Sequence, residues 1–308
     1  MNESRRDILR LFWGLGAAMA LRSASGQTPK IMTRKIPSTG EELPAVGLGT
    51  WQVFDADRGG NADAAARAPL REVLGRFAKA GGKLIDSSPM YGSAESVVGD
   101  LVAELGLRAK LFIATKVWTH GREEGIAQME TSFRRLKVKQ MDLMQIHNLR
   151  DAGIHTKTLL EWKAKGRIRY LGITHYTSSA YTEVESWLKK EKYDFLQINY
   201  SLAERTSENR ILEMCKNQSI AVIANRPFAE GAMFKRVRGK PLPPWAGEIG
   251  VESWAQYFLK WIVAHPAITC VIPGTGKPEH IADNVAAGFG ALPDAAMRKR
   301  MAQYYDAL

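Results

Sequence analysis

An eightfold alternation of strand-like and helix-like segments is the feature of this sequence that most constrains its fold. Short apolar runs typical of buried strands begin near Val46, Lys83, Leu111, Met141, Tyr170, Phe195, Ile220 and Thr269. Helical patterns follow them over residues 64–79, 94–105, 121–136, 156–165, 180–190, 208–218, 253–264 and 279–289. Eight strand-then-helix units in 308 residues predict an α/β fold, a (β/α)8 TIM barrel, rather than an open sheet.

Three further segments complete the predicted fold. Residues 31–36 and 41–43 flank a turn at Ser38-Thr39-Gly40 and predict an N-terminal hairpin, and residues 293–305 predict one extra C-terminal helix. Residues 228–252 form a long interruption, which we expect to lie over the active-site face. Because no Gly-, Pro- or Ser-rich linker splits the body, residues 27–308 are predicted to form one domain.

Polar residues stand where several of the predicted strands end. Asp86 ends one strand, and Tyr91 lies on the loop that follows it. Taken alone, these two residues are better explained as a strand-end cap and a partly buried loop tyrosine. Lys116 and His147, however, end two further apolar runs, and chemistry in a parallel barrel takes place at the carboxyl ends of its strands.

These four residue types suit proton donation to a carbonyl group. A lysine that ends a buried strand needs a partner, and Asp86 is a suitable one. The ammonium of Lys116 would lower the pKa of Tyr91 from its usual value of about 10, which favours proton donation near neutral pH. His147 would donate a hydrogen bond to the carbonyl oxygen of a substrate.

Together these residues make the sequence resemble the aldo-keto reductases. Asp86, Tyr91, Lys116 and His147 match the catalytic tetrad of that family in order, spacing and strand context. Supporting motifs lie at residues 46–51, 86–95, 113–118, 172–174, 196–200 and 271–275. The resemblance runs from about residue 35 to about residue 293, and it implies that the hairpin plugs the bottom of the barrel.

The resemblance implies NADPH-dependent reduction of an aldehyde or ketone to an alcohol by hydride transfer. Tyr91 is then the general acid, Lys116 held by Asp86 lowers the pKa of Tyr91, and His147 orients the carbonyl group. The alternative is a weakly catalytic nicotinamide-binding module that senses redox state beside a membrane partner. Steady turnover of a model aldehyde distinguishes the enzyme from the module.

The same resemblance indicates where the cofactor binds. No Gly-x-Gly-x-x-Gly motif follows the first strand, which argues against a Rossmann half. Instead, the segment from Pro273 to His280 ends the last strand and enters a helix, where small residues and a helix N-terminus favour an anion, although a plain turn also explains it. The predicted cofactor-binding residues are Gly49, Thr50, Thr174, His175, Gln197, Asn225, Arg226, Pro273, Gly274, Thr275, Lys277, His280 and Asn284.

Several of these positions depart from the family pattern. Gly274 and Thr275 replace a Lys-Ser pair and His280 replaces an Arg, so NADH is kept as an alternative to NADPH. Thr174 and His175 stand where the family usually has Ser-Asn, whereas Gln197 matches the residue that binds the carboxamide. Asn225 replaces an aromatic residue that stacks on the ring. Arg226 beside it is also explained by an ion pair with Glu230 or a neighbouring carboxylate.

The predicted substrate pocket contains two tryptophans. Trp51 and Trp118 match aromatic pocket positions, although core packing is an alternative for either of them and explains Trp118 equally well. Asn148 stands where relatives often have a tryptophan, which makes that side of the pocket more polar. We expect a small-molecule carbonyl substrate, and the sequence does not specify which one.

The N-terminus resembles a twin-arginine signal peptide. Arg5 and Arg6 precede an apolar segment at residues 11–21, which is too short to span a hydrocarbon core of about 30 Å. Small residues at 23–26 follow and suit a cleavage site. We expect residues 1–26 to direct export to the periplasm by the twin-arginine machinery, and the alternative is an amphipathic surface helix.

The composition excludes several other classes of function. The net charge of +11 is scattered along polar helix faces without a long basic run, so specific nucleic-acid binding is not predicted. Cys215 and Cys270 are expected to be free, buried thiols, and the dispersed histidines predict no metal site. We expect a monomer.

Overall fold

The computed structural model describes residues 30–57 and 61–308, and a barrel of eight parallel strands forms its centre. The strands are β1 (Thr33–Lys35), β2 (Glu42–Pro44), β3 (Leu48–Gly49), β4 (Leu84–Asp86), β5 (Phe112–Val117), β6 (Met141–His147), β7 (Ile168–His175), β8 (Phe195–Asn199), β9 (Ala221–Asn225) and β10 (Ile268–Val271). From β3 to β10, each strand pairs in parallel with the next. The predicted α/β barrel is therefore confirmed.

The first and last barrel strands, β3 and β10, close the ring through two bridges. Val46 pairs with Val271, and Gly49 pairs with Gly274. Glycine is required at position 49, because a Cβ atom there would lie 2.9 Å from the carbonyl oxygen of Ile272. This close approach brings the segment that follows β3 next to the segment that follows β10, where the phosphate-binding residues are predicted.

The hairpin of β1 and β2 is antiparallel, as predicted, and it closes the N-terminal end of the barrel. Ile36 and Leu43 are fully buried in the inner core, among residues that the barrel strands direct inward. The hydroxyl of Tyr170 donates to the Glu41 carboxylate at 2.7 Å, which fixes the hairpin turn to β7. The hairpin therefore plugs the bottom of the barrel.

The helices form the outer layer. They are α1 (Ala64–Lys79), α2 (Ala94–Glu104), α3 (Arg122–Arg135), α4 (Ala152–Ala164), α5 (Tyr181–Lys190), α6 (Ile211–Asn217), α7 (Ala232–Arg236), α8 (Trp254–Val263), α9 (Pro278–Ala286) and α10 (Ala295–Asp306). Most of the predicted bounds agree to within a few residues. Helix α4 begins earlier than the predicted residue 156, because a left-handed residue at its N-cap, Asp151, reverses the chain directly before Ala152.

The segment at residues 228–252 is partly helical. It contains α7 and two short 3-10 turns, and its contacts attach it to the outer helices α8 and α10. Trp254 Nε1 donates to the carbonyl of Lys240 at 3.0 Å, and Trp245 packs edge-on against Tyr304. These contacts attach the segment to α8 and α10, and its place over the active-site face stays a prediction.

The extra C-terminal helix α10 packs against the outside of the barrel, as predicted. The hydroxyl of Tyr257 donates to the carbonyl of Met301 at 2.9 Å, and Trp261 Nε1 donates to the carbonyl of Arg298 at 3.0 Å. Both donors lie on α8, so α8 and α10 form one packed pair.

The predicted signal peptide at residues 1–26 lies outside the described residues, and export remains a prediction. Within residues 30–57 and 61–308, no helix is both long and apolar enough to cross a bilayer. Cys215 and Cys270 are free and buried, as expected. Burial raises the pKa of the Cys215 thiol to about 12, which keeps it protonated.

Candidate active site

A buried ion pair lies at the centre of the barrel mouth. Lys116, near the end of β5, donates from Nζ to Asp86 Oδ2 at 2.7 Å and to the carbonyl of Ser87 at 2.7 Å. Both side chains are almost completely inaccessible to solvent. Burial opposes the charge of Lys116, but Asp86 and Tyr91 outweigh it, so the pKa of Lys116 is raised and the ammonium stays protonated.

Two amides complete the shell around Asp86. Gln145 Nε2 donates to Oδ1 and Gln197 Nε2 donates to Oδ2, each at 3.1 Å. Gln145 was not among the predicted site residues. It lies two residues before His147 on β6, and because side chains alternate along a strand it shares the inward face with His147. That period of two is the signal that identifies it.

Tyr91 lies directly beside Lys116, as the sequence predicted. The Lys116 ammonium lies 5.0 Å from the centroid of the Tyr91 ring. Burial raises the pKa of the Tyr91 phenol, and the opposing effect of Lys116 is smaller. Lys116 therefore lowers the pKa of Tyr91, as predicted. Because burial has the larger effect, the pKa of Tyr91 nevertheless lies above its usual value rather than below it. Tyr91 consequently holds its proton at neutral pH and is available as a donor.

His147 at the end of β6 is a neutral hydrogen-bond donor. Burial first, and then the charges of Lys116 and His175, lower its pKa to about 3. Its Nδ1 lies 3.2 Å from Ser88 Oγ, and the same hydroxyl oxygen accepts a hydrogen bond from the Met90 amide. With the Ser88 hydroxyl as the donor to Nδ1, the proton of the neutral imidazole lies on Nε2.

The Tyr91 and His147 rings face the same space. Their centroids lie 6.0 Å apart with the ring planes nearly perpendicular. With Lys116 and Asp86 behind Tyr91, the structure brings the four predicted catalytic side chains together at one end of the barrel. This arrangement provides a phenol proton and an imidazole N–H at the same place.

Unpaired amide oxygens are concentrated at this end of the barrel. Among the described residues, the buried side-chain amide oxygens without a hydrogen-bond partner are those of Gln145, Asn148, Gln197 and Asn225. All four residues lie within or directly after the C-terminal halves of barrel strands. A carboxamide ligand supplies the N–H donors that such oxygens lack, so the residues present fit a nicotinamide group.

The other residues predicted near the nicotinamide lie on neighbouring strand ends. Thr174 is the register partner of both His147 and Gln197, and Asn225 is the partner of Asn199. His175 Nδ1 accepts a hydrogen bond from the Thr177 amide at 3.2 Å, so that ring nitrogen is already occupied.

Arg226 makes the ion pair that the sequence left open. Its guanidinium lies 3.0 Å from the Glu230 carboxylate and 5.5 Å from the centroid of the exposed Tyr176 ring. Arg226 also has a left-handed backbone conformation, with φ of 51°. It therefore links the ends of β7 and β9 across the barrel mouth.

The predicted phosphate-binding segment follows β10. Gly274 is exposed, and a Cβ atom there would lie 3.3 Å from the Gly49 carbonyl oxygen. Lys277 and His280 are exposed around the start of α9, and Asn284 is buried on the same helix. Thr275 Oγ1 accepts a hydrogen bond from the Lys277 amide. Small residues beside a helix N-terminus suit an anionic group.

Residues at the end of β3 contact the backbone around the ion pair. Thr50 Oγ1 donates to the carbonyl of Asp86 at 2.9 Å and lies 3.0 Å from Ser87 Oγ. Gly49 donates its amide to the carbonyl of Pro273 at 3.1 Å. Through these contacts Gly49 and Thr50 connect the tetrad to the phosphate-binding segment.

The three predicted pocket residues differ in their relation to the tetrad. Trp118 is half-buried with its ring centroid 6.4 Å from that of His147, so it borders the site rather than the core. Trp51 is 43% exposed. Asn148 directly follows His147 in a left-handed conformation, with φ of 53°. Among the described residues, no group of three or more His, Cys, Asp or Glu side chains is arranged to hold a metal ion.

Comparison with known proteins identifies the family. The model of the Aldo/keto reductase family matches residues 45–301. The chain belongs to the aldo/keto reductase family. It is thus an NAD(P)H-dependent oxidoreductase.

Individual aldo/keto reductases support this assignment. The methylglyoxal reductase YeaE of Escherichia coli is 29% identical over 79% of this chain and 85% of its own length. An NADH-specific methylglyoxal reductase of Escherichia coli is 24% identical over 85% of this chain and 95% of its own length. An aldo-keto reductase of Klebsiella pneumoniae, solved in complex with NADPH, is 25% identical with a TM-score of 0.72, covering 91% of this chain and 96% of its own.

Proposed function

We propose that this aldo/keto reductase reduces small aldehydes and ketones to alcohols, with Tyr91 as the general acid. The observation that carries the proposal is the buried Lys116–Asp86 pair beside a protonated Tyr91 and a neutral His147. A buried ion pair next to a phenol and an imidazole N–H is an arrangement for placing a proton on a developing alkoxide.

NADPH is the proposed cofactor, and NADH is the alternative. The unpaired amide oxygens of Gln197 and Asn225 would accept hydrogen bonds from the nicotinamide carboxamide. The segment from Gly274 to His280 would hold the phosphate groups. The Klebsiella protein in complex with NADPH and the NADH-specific Escherichia coli reductase support these two choices. When bound, the cofactor supplies the hydride that the carbonyl carbon receives.

The residues of the chain then orient the carbonyl and supply the proton. His147 donates from Nε2 to the carbonyl oxygen and holds it beside Tyr91. The Tyr91 hydroxyl transfers its proton to that oxygen as negative charge develops there, and the resulting phenolate lies beside the Lys116 ammonium. Asp86 keeps Lys116 charged throughout. Solvent then returns a proton to Tyr91, so the net addition to the carbonyl is one hydride and one proton.

Replacement of Tyr91 by phenylalanine tests the assignment. Tyr91→Phe should lower kcat by roughly 10²–10⁴-fold, because proton donation is lost. NADPH binding, measured by quenching of tryptophan fluorescence, should stay nearly unchanged. Tyr193→Phe is the matched control, since the Tyr193 hydroxyl contacts Thr156 in the outer layer. Methylglyoxal and 4-nitrobenzaldehyde serve as substrates. Full reductase activity of Tyr91→Phe would contradict the assignment.

Export is a separate part of the proposal. Residues 1–26 would direct the folded, cofactor-loaded protein through the twin-arginine machinery to the periplasm, where it acts as a monomer. The paired arginines before a short apolar segment support this route. Changing Arg5 and Arg6 together to lysine should retain the precursor in the cytoplasm, as cell fractionation would detect. Unaffected export of that variant would contradict the signal assignment.

A further inference from the structure

Arg150 presents a guanidinium without a counter-ion beside the proposed active site. Its guanidinium carbon lies 3.9 Å from the centroid of the Trp118 ring. Within the described part of the chain, its recorded contacts otherwise consist of a backbone hydrogen bond from its amide to the carbonyl of His147. The side chain is half-buried, so it is held against the ring rather than extended into solvent.

Other arginines that lie over aromatic rings in the described residues have oxygen partners. Arg167, Arg169, Arg205, Arg226, Arg298 and Arg300 each pair with a carboxylate, and Arg236 donates to a backbone carbonyl. Each of these seven stacked guanidinium groups therefore also has an oxygen partner. Within the same described residues, the guanidinium donors of Arg150 have no such oxygen partner.

The guanidinium is close to the reacting groups. Trp118 follows Lys116 by two residues, and its ring centroid lies 6.4 Å from that of His147. Arg150 follows His147 by three residues. The Arg150 guanidinium carbon lies 3.9 Å from the Trp118 ring centroid. Its distance from the His147 ring centroid therefore cannot exceed the sum of this separation and the 6.4 Å between the two rings. A short substrate spans a distance of this order.

The backbone around Arg150 is strained and firmly anchored. Asn148, Leu149 and Asp151 have φ angles of 53°, 56° and 52°, the left-handed region that costs roughly 1–2 kcal/mol per non-glycine residue. Leu149 is buried, and Asp151 Oδ2 accepts the Gly121 amide at 2.8 Å. Such strain persists where neighbouring contacts fix it, and it is concentrated at functional sites. These anchors fix the position from which the Arg150 side chain starts.

The neighbouring ionisable groups of the described chain form no ion pair with Arg150. Lys116 is paired with Asp86, and His147 is neutral. The Asp151 carboxylate is occupied by the Gly121 amide and forms no ion pair with Arg150. A substrate that approaches His147 from the Trp118 side therefore meets an apolar ring with an uncompensated planar cation on it.

We propose that the preferred substrates are aldehydes that carry a carboxylate at the end remote from the carbonyl, and that Arg150 binds this carboxylate. The inference rests on the proposed carbonyl reduction and specifies its substrate class. The guanidinium fork matches a carboxylate with two parallel hydrogen bonds, and the Trp118 ring covers the apolar body between the two ends.

Two pairs of substrates test the inference. In the rigid pair, 4-carboxybenzaldehyde is compared with its methyl ester; in the flexible pair, succinic semialdehyde is compared with butanal. For the wild-type protein with NADPH, kcat/KM should be at least about tenfold higher for the acid in one pair or both. Arg150→Gln should abolish that preference, chiefly by lowering kcat/KM for the acids. Arg150→Lys, which keeps the charge without the planar fork, should give an intermediate preference.

Matched controls separate the possible results. Arg71→Gln removes the same charge from an exposed ion pair between α1 and Glu104 and should preserve the preference. A calorimetric titration with benzoate and benzamide in the presence of NADP+ gives a readout without turnover: benzoate should bind more tightly, and Arg150→Gln should remove the difference.

Equal kcat/KM values for acids and neutral compounds would overturn the inference while carbonyl reduction stands. Failure to reduce any of the four compounds would overturn the proposed function itself.

Discussion

His147 illustrates how a single buried side chain makes stability depend on pH. Its pKa is lowered to about 3, chiefly by burial, whereas an unfolded histidine titrates near 6.5. Between these values the unfolded chain binds a proton that the folded protein does not. The free energy of unfolding contributed by His147 is therefore complete above pH 6.5 and decreases as the pH falls towards 3.

We expect His147→Gln to reduce this pH dependence. Between pH 7 and pH 4, the wild-type protein should lose more unfolding free energy than the variant, by an amount on the order of 1–3 kcal/mol. Denaturant unfolding at both pH values measures the difference. The wild-type His147 imidazole resonance, assigned by its absence in the variant, should not titrate between pH 5 and 8. A midpoint near 6.5 would disprove the neutral state.

Asp86 is the residue on which the charge of Lys116 depends. Asp86→Asn leaves a buried ammonium without its counter-ion, with neutral oxygens such as the Ser87 carbonyl as its acceptors. Loss of the counter-ion should destabilise the protein by about 3–5 kcal/mol and lower kcat, because an uncharged Lys116 no longer stabilises the Tyr91 phenolate.

Asp142 provides a matched control for this prediction. It is also a buried carboxylate, but it pairs with Arg108 and Arg169 at the opposite end of the barrel. Asp142→Asn should lower the melting temperature without lowering kcat at 25 °C. If Asp86→Asn likewise lowered only the melting temperature, Lys116 would have no part in proton transfer.

At the scale of elements, one buried carboxylate connects two outer helices with a barrel strand. Glu95 on α2 is fully buried and accepts a hydrogen bond from Thr115 on β5 at 2.6 Å. Arg135 at the end of α3 lies 3.6 Å away on the other side. Thr115 directly precedes Lys116, so Glu95 fixes the strand end on which the proposed ion pair depends.

Burial raises the pKa of Glu95, which determines the sign of its effect on stability. The folded protein holds this proton more tightly than the unfolded chain, so the contribution of Glu95 to the free energy of unfolding decreases as the pH rises above the unfolded value of about 4.3. Glu95→Gln should therefore retain more of its pH 5 stability at pH 8 than the wild-type protein does. Glu95→Ala should lose about 1–3 kcal/mol or more at either pH, since Thr115 loses its acceptor. Equal losses in the two variants would contradict this account.

The order of elements was predictable from the sequence because each has a strong local signal. The strands are short apolar runs, and helices such as α1 and α8 begin at a side-chain cap, Asp63 and Ser253 respectively. The early start of α4 was not predictable, because it depends on left-handed residues that include Leu149, whose side chain gives no local reason for that conformation.

The catalytic tetrad was predictable because its members lie at or just after the C-terminal ends of barrel strands, which meet at one end of the barrel. Asp86 and Lys116 lie on adjacent parallel strands, so their proximity follows from strand order and register. The stacking of Arg150 on Trp118 depends on two loops that are distant in sequence, and no local pattern encodes it. The net direction of the Tyr91 pKa was also missed, because the sequence does not reveal how completely the phenol is buried.

At the scale of the whole molecule, Lys260 links α8 to two loops. Its buried ammonium donates to the carbonyls of Ile249, Phe289 and Ala291 at 2.9, 2.9 and 3.0 Å. In the part of the chain that the structure describes, no carboxylate pairs with this ammonium. Burial lowers the pKa of Lys260, but the three carbonyl dipoles satisfy all three donors of the ammonium.

Lys260→Met should leave three carbonyl groups without a donor. A loss of at least about 1–3 kcal/mol is expected, with kcat at 25 °C unchanged because Lys260 lies outside the proposed active site. Thermal unfolding followed by circular dichroism measures the loss. The exposed Lys189→Met on α5 should change stability by no more than about 0.5 kcal/mol. Similar melting temperatures for the two variants would show that the carbonyls find other partners.

The plugged end of the barrel also determines where the chain enters it. The Met32 amide donates to the carbonyl of Gly288 at 2.7 Å, and a Cβ atom at Gly81 would lie 3.1 Å from the Ile31 side chain. Both glycines follow helices that return to the base of the barrel. A fusion partner or an immobilising linker joined ahead of Lys30 would therefore be held beneath the barrel, with the substrate entrance pointing away from the support.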